Sequence, residues 1–273
     1  RYEPDPDGLD VEAIAVLRDG SMWISEEYAP SLLRLDARGV IIERWAPRGV
    51  APRLVDSKIP TVERLPAIVA RRHPNRGIEG MAIDPKARYL YFVMQSPLDN
   101  PDEDAHDRSR NVRIFRVDLR TRSVDAEYLY RIDPVASFRD DDEDKQSKVK
   151  VSELSIDPQG RLVVLERVDD TTKLYRVSLR DATNLLGTRW DDPDTEPALE
   201  ELNGVQLGGA DIEPVSKTLL FDSVRLPKED KLPKKVEAVA PLGGGRWLLI
   251  NDNDFGIDGD GTVLTILSLE AGR

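Results

Sequence analysis

Glu12, Glu79, Glu153 and Glu237 recur at intervals of 67, 74 and 84 residues, each opening a short apolar run. After a turn, each run is answered by a second apolar run closed by a polar side chain: Glu27, Gln95, Glu166 and Asp252. A base precedes three of the four glutamates by three residues, namely Arg76, Lys150 and Lys234; the first unit has Leu9 there. If these side chains share one region, up to seven carboxylates gather in it. So many like charges cannot all stay ionised without partners, and they protonate, pair with bases or hold a cation. Two chemistries are open. The glutamates could pair with bases and lock one unit to the next, which spacing alone favours for most of the set. Alternatively, oxygens of Glu12, Glu27, Glu79, Glu153, Glu166, Glu237 and Asp252 hold Ca²⁺. The bases then meet an anionic substrate.

The elements that would position these groups are hairpins. Val11 to Leu17 turns at Asp19-Gly20 into Met22 to Ser25, Ile78 to Ile83 turns through Asp84-Pro85 into Tyr89 to Val93, Ser152 to Ile156 turns through Asp157 to Gly160 into Leu162 to Leu165, and Val236 to Ala240 turns through Gly243 to Gly245 into Trp247 to Ile250. Runs this short, bounded by Asp, Gly and Pro, read as β-hairpins. Further strands are expected at Ser31–Leu35, Val40–Trp45, Val112–Leu119, Val124–Ile132, Lys173–Leu179, Thr218–Asp222 and Val263–Leu269. A hairpin plus one or two strands, repeated, predicts an all-β fold: a β-propeller of four-stranded antiparallel blades with short helical insertions. A β-sandwich does not explain a recurring Glu. In a propeller the four glutamates form a ring at one height. Antiparallel pairing then sets Glu27 beside Glu12, Gln95 beside Glu79, Glu166 beside Glu153 and Asp252 beside Glu237. The spacing of Val62, Leu65, Ile68 and Val69 predicts a helix across Thr61 to Arg72, and a short helix is possible near Asp181 to Leu186. Asp140 to Asp144 reads as a solvated loop, and the S-x-x-K match at Ser147 to Lys150 lacks any partner motif. Asn251 to Gly261 is dense in oxygen ligands but lacks EF-hand order; a series of Asx turns is favoured there over a calcium loop.

Composition narrows the function. The 273 residues hold 39 bases against 51 acids, a net charge of -12, which argues against a general electrostatic nucleic-acid binder. There is no cysteine, so disulfides, thiolate zinc sites and thiol catalysis are excluded. With only His73 and His106, a His-rich zinc site is excluded too, and a Ser-His-acid triad has two candidate bases and no G-x-S-x-G elbow. No apolar run is long enough to span a bilayer.

Several ordered motifs together resemble the phytase-like family labelled "esterase-like activity of phytase". They are Met22-Trp23-Ile24-Ser25-Glu26-Glu27-Tyr28 leading to Leu33-Arg34-Leu35-Asp36; Asn75-Arg76-Gly77-Ile78-Glu79-Gly80; Ser152-Glu153-Leu154 leading to Leu165-Glu166-Arg167; and Lys235-Val236-Glu237-Ala238 leading to Asn251-Asp252-Asn253-Asp254-Phe255-Gly256. The resemblance runs from about Asp10 to Leu269. It implies a β-propeller, usually exported from bacterial cells and so extracytoplasmic, with hydrolase activity assigned by relation to phytases. Family members usually carry an upstream portion with at least one more hairpin, so the expectation is one propeller domain over residues 1–273 that is part of a larger one and is open or unevenly closed. Gln95 departs from the acid expected at its place. The activity the resemblance implies is calcium-assisted hydrolysis of phosphate or carboxylate esters, with a small anionic or ester substrate; Glu79, Glu153, Arg76 and Lys150 are the candidate catalytic residues, the ion polarising the ester and a base neutralising the leaving oxygen. The alternatives are a non-catalytic envelope propeller that binds or scaffolds, and a lactonase-like calcium propeller.

Overall fold

Asp-led turns build the hairpins. Asp19 accepts from the Ser21 amide at 3.0 Å, Asp84 from Arg88 at 2.7 Å, and Asp157 from Gln159 and Arg161, both at 2.9 Å. Such a carboxylate satisfies turn amides that no ladder reaches. The computed structural model describes residues 5, 7–257, 259 and 261–269.

Among the described residues, sixteen strands form four sheets. The first holds β1 (Val11–Val16), β2 (Met22–Glu26), β3 (Ser31–Leu35), β4 (Ile41–Pro47) and β5 (Thr61–Leu65) in sequence order. The second holds β6 (Ile78–Ile83), β7 (Tyr89–Met94), β8 (Asn111–Asp118) and β9 (Ser123–Arg131). The third holds β10 (Lys150–Ile156), β11 (Leu162–Arg167), β12 (Thr172–Ser178) and β13 (Ser216–Asp222), and the fourth β14 (Val236–Gly243), β15 (Arg246–Asn251) and β16 (Leu264–Ser268). Neighbours pair antiparallel, except that β5 runs parallel to β4. The chain is therefore all-β in blade-like sheets. Two short α-helices, α1 (Glu103–Arg108) and α2 (Gly204–Gly209), and several 3-10 turns lie in the insertions.

The first strands of the sheets pack side by side in the order β1, β6, β10, β14, and no comparable seam joins β14 to β1. The ring is open on that side, where Ile14 and Val16 of β1 remain exposed. The closed seams are tight. A Cβ on Gly80 would stand 2.3 Å from the Leu154 amide nitrogen, and one on Gly77 2.2 Å from the Glu27 carbonyl oxygen. Buried Phe92, Phe115, Tyr130, Leu154 and Val164 belong to the largest core cluster, which spans sheets one to three.

Two expected helices take other forms. Thr61–Leu65 is β5, and only Ala67–Arg71 turns, as a 3-10 segment after Pro66. β-Branched Thr61 and Val62 suit the open edge of β4, and Pro66 breaks the element at the middle of the apparent helical period. Near residue 184 there is no helix; Asn184 instead accepts from the Glu127 amide at 3.0 Å, and the insertion's helix is α2. This insertion is clamped onto the second sheet by Arg113, fully buried, which donates to Glu200 at 2.8 and 3.0 Å and to Glu127. Asn111 adds bonds to the Leu199 and Leu202 carbonyls at 2.7 and 2.8 Å.

The seam between β6 and β10 generates a prediction. The atom that Gly80→Ala would strike is backbone, which cannot swing aside. The variant should lose about 1–3 kcal/mol in urea unfolding, and a wild-type midpoint would show that the seam can open at no cost.

Candidate functional site

Each inner strand carries a bulge at its second residue or just after. The register slips between Val11 and Ile14, Ile78 and Gly80, Val151 and Glu153, and Val236 and Ala238. The extra residue turns its side chain off the alternating pattern and toward the axis. This superposes Glu12, Glu79, Ser152 and Glu237, not Glu153. The facing positions are Glu27, Gln95, Arg167 and Asp252. Three of these donate their amides to Asp10, Gly77 and Lys235 at 3.1, 3.0 and 2.9 Å, and Arg167 pairs with Lys150. Asp10, Gly77, Lys150 and Lys235 are thus equivalents as well.

The expectation that Glu153 sits beside Glu166 is corrected accordingly. Glu166 faces Val151, and Glu153 faces Leu165. Glu153 is enclosed in the β6–β10 seam. Its carboxylate accepts from the Leu154 amide at 2.9 Å and from the Met81 amide, while burial pushes it up to about 8. Glu166 is fully buried between the second and third sheets, bonded to Tyr130, to the Asp133 amide at 2.9 Å and to Lys217 at 2.6 Å. In the first unit the Glu26–Glu27 pair divides its labour. Glu26 caps the turn through the Tyr28 and Ala29 amides at 2.9 and 2.7 Å, and Glu27 faces the axis.

The remaining groups meet at one mouth, a polar cleft of about 210 Å³ lined by all four sheets. Glu12, Glu27, Glu79, Lys150, Glu237 and Asp252 line it, as expected sites. So do Asp10, Arg167, Asp169, Lys235 and Asp254, which the recurring Glu does not mark. Arg76 stands behind Glu79 and Glu27, and Lys234 points away to Asp170 at 3.3 Å. Eight carboxylates face three bases, so the cleft carries a large excess of negative charge. Oxygens of Asp10, Glu12 and Glu27 lie within 4.8 Å of one another. In the third unit, Arg167 donates to Ser152 at 2.9 Å and pairs with Glu237.

Burial, then the charges of Glu27, Asp10 and Asp252, pushes the Glu12 carboxyl up to about 7. Burial, then Glu12, pushes Glu79 up to about 8. Burial, then Arg167 and Arg76, brings the Lys150 ammonium down to about 8. Gln95 donates to Glu79, yet Glu79 Oε2 and Gln95 Oε1 are buried acceptors with no donor. Hard oxygen donors, two of them orphaned, and carboxyls whose charge is unfavourable suit a cation such as Ca²⁺. At the Asn251 to Gly261 loop, the Asp254 amide bonds Asp252 at 3.0 Å, an Asx turn, and Lys235 pairs with Asp254; Asp258 and Asp260 lie outside the described residues.

The two histidines, remote in sequence, stack with centroids 4.1 Å apart. His73 Nδ1 bonds Asp99 at 2.9 Å and His106 Nδ1 the Pro97 carbonyl at 2.7 Å, which ties α1 to the loop after β7. No sequence signal links them. Nor does any helix among the described residues have the length and apolarity to cross a membrane.

The raised carboxyls fix a pH dependence. Between about pH 4.5 and 8 the native state keeps protons on Glu79 and Glu12 that the unfolded chain has released. Stability of the metal-free protein should therefore fall as pH rises through this window. Lys150 acts with opposite sign, and only above about pH 8. Urea unfolding in EDTA should show a loss on the order of a few kcal/mol from pH 5 to 8, and Glu79→Gln should flatten it. Equal slopes in both proteins would place the titrating groups elsewhere.

A curated relative, an uncharacterized secreted protein of Arthroderma benhamiae, is 25% identical over 175 residues; the match covers 58% of this chain and 34% of that protein, so the chain spans about a third of its relative's length. Three solved structures align at low identity. The β-propeller domain of Cps50 (Swd1) from Myceliophteria thermophila is 11% identical, with 97% of this chain and 59% of that one covered at a TM-score of 0.42. Virginiamycin B lyase from Staphylococcus aureus is 10% identical, with 99% and 73% covered at 0.38. Regucalcin from Agrobacterium tumefaciens, a calcium-binding protein, is 10% identical, with 96% and 62% covered at 0.39. The family comparison is broader: residues 2–255 match the phytase-like family described as "esterase-like activity of phytase", and the chain belongs to that family.

Proposed function

We propose that the mouth is the site of a calcium-assisted hydrolysis of phosphate or carboxylate esters. One observation carries the reading: the oxygens of Asp10, Glu12 and Glu27 converge within 4.8 Å in a cleft that Lys150 and Arg167 also line. With its excess of carboxylates, the cleft repels an anionic ester unless positive charge is added. Asp10, Glu12 and Glu27 would hold the ion, with the orphaned Gln95 Oε1 as a further donor. Bound there, Ca²⁺ supplies the charge that admits and polarises the ester.

The chain's own groups do the rest. As ligands of the ion, Asp10, Glu12 and Glu27 would stay charged, and Asp252, close to Glu12, is a further carboxylate that can take the proton of an attacking water. Lys150 and Glu79 hold protons near neutral pH and can give one to the leaving oxygen. These groups face one another and titrate as a set. Arg167 keeps its charge and steadies the oxyanion that develops. Arg76 raises no proton; it holds charge behind Glu79 and Glu27. Glu153 and Glu166, enclosed by backbone and side-chain donors, position strands and touch no substrate in this reading.

A non-catalytic binding module is the second reading, favoured by the bonds that tie the mouth together: Arg167 to Glu237, Gln95 to Glu79 and Lys235 to Asp254. A secreted relative supports an extracytoplasmic location for either.

Purified protein should hydrolyse members of a panel of phosphate and carboxylate esters with Ca²⁺ and lose that activity in EDTA. Glu79→Gln should lower kcat by about 100-fold, within the usual range for a lost general acid. Ca²⁺ should also raise stability, by roughly 2.7 kcal/mol at a hundredfold excess over Kd, and Glu12→Gln should blunt that rise. A calcium response without turnover of any ester would favour the binding module; no calcium response at all would remove the metal reading.

A further inference from the structure

Three arginines outside the mouth gather around a second cavity. That cavity, about 400 Å³, lies between α1, the end of β9 and the Leu199–Glu201 turn. Arg108, Arg110 and Arg131 line it, and none of them forms an ion pair among the described residues. Arg110 donates Nε to the Ile132 carbonyl at 2.7 Å, which leaves its two terminal nitrogens free. Arg131 packs against Gly204, and its Nε is buried with no acceptor.

The nearby acids do not answer them. Glu200 gives both oxygens to Arg113, at 2.8 and 3.0 Å. Glu201 turns back to cap the Ala198 amide at 2.7 Å. Burial and the charge of Arg110 together pull the Arg131 guanidinium below its usual range. Unanswered, like-charged guanidinium groups converge here in a chain where acids outnumber bases by 51 to 39. An arrangement so costly when empty is repaid by an anion.

We propose that this cavity binds the phosphate group of a small phosphorylated molecule. Three forks offer more donors than a planar carboxylate can use, and a tetrahedral dianion matches both their number and the net charge of three Arg against Glu201. The volume exceeds that of phosphate alone and leaves room for an organic body against Ala105 and Leu202. The cavity opens beside the ends of β8 and β9, apart from the residues of the mouth, and the proposal does not rest on the ester-hydrolysis reading.

Inorganic phosphate and glycerol 3-phosphate would be titrated into metal-free protein, where the acidic mouth repels both, by calorimetry and thermal melting. Saturable binding is expected, weakened at least tenfold by Arg131→Gln and by the exposed Arg108→Gln. Since Arg131 makes no bond in the fold, Arg131→Gln should melt no lower than wild type without phosphate and lose the phosphate-induced rise. No saturable binding below 10 mM phosphate (on the order of the weakest useful affinity) would overturn the proposal. So would wild-type binding retained by both variants.

Discussion

Close approach of the inner strands is the constraint from which the site follows. Gly77 and Gly80 let backbone meet backbone where any side chain would collide with Glu27 or Leu154. Strands this close leave little room for water between them. A carboxyl that the bulge turns toward the axis therefore loses hydration before it gains a partner. The raised proton affinities of Glu12 and Glu79 are consequences of that crowding, and burial is the leading cause in each. The same crowding lowers Lys150. Acids and a base of ordinary type thus come to titrate within about one unit of one another, as proton-transfer chemistry near neutrality requires.

Much of this was legible in the sequence, because local signals and tertiary demands coincide there. Asp and Gly turns set the hairpins, and the ends of the expected strands fall within three residues of the observed ones, as at Ser31–Leu35 and β8. The site was only half legible, since the repeat was aligned on a residue type instead of on the apolar frame. Val11-Glu12-Ala13-Ile14, Ile78-Glu79-Gly80-Met81, Val151-Ser152-Glu153-Leu154 and Val236-Glu237-Ala238-Val239 share apolar first and fourth positions. Read on that frame, the third unit has Ser152 at the axis, and Glu153 falls where the others carry Ala or Gly. Arg167 then joins Glu27 and Asp252, and Lys235 replaces Lys234 as the base at the mouth. The histidine stack and the Arg113 clamp left no trace in the sequence, for both join segments whose proximity only the folded insertions create.

The departure of the third unit gives the mouth its polarity. Four identical units would produce a symmetric ring of acids, which could hold a cation but offer nothing to an anionic ester. Ser152 and Arg167 break that symmetry. Arg167 takes hydrogen-bond support from Ser152 and charge from Glu237, so a guanidinium stands where its equivalents are acidic or neutral. Asp10 in the first unit and Lys150 in the third occupy equivalent places with opposite charge. The acids of the first sheet and the bases of the third line the same cleft.

Comparison of Glu166 with Glu79 separates a carboxylate that holds a fold from one poised for chemistry. Both are buried, and burial raises both. Glu166 meets Lys217, Tyr130 and the Asp133 amide, so each of its oxygens has a donor and its charge is compensated on the spot. Lys217 and Lys173 also reach Asp133, at 2.7 and 3.0 Å, which makes the whole cluster a closed network between sheets. Glu79 has one donor, Gln95, and one oxygen with none. A closed network has no use for a further cation or proton, whereas an open one does. The distinction lies in satisfied lone pairs and not in residue type, which is why a recurring Glu could mark the place of a site without saying which of its members belong to it.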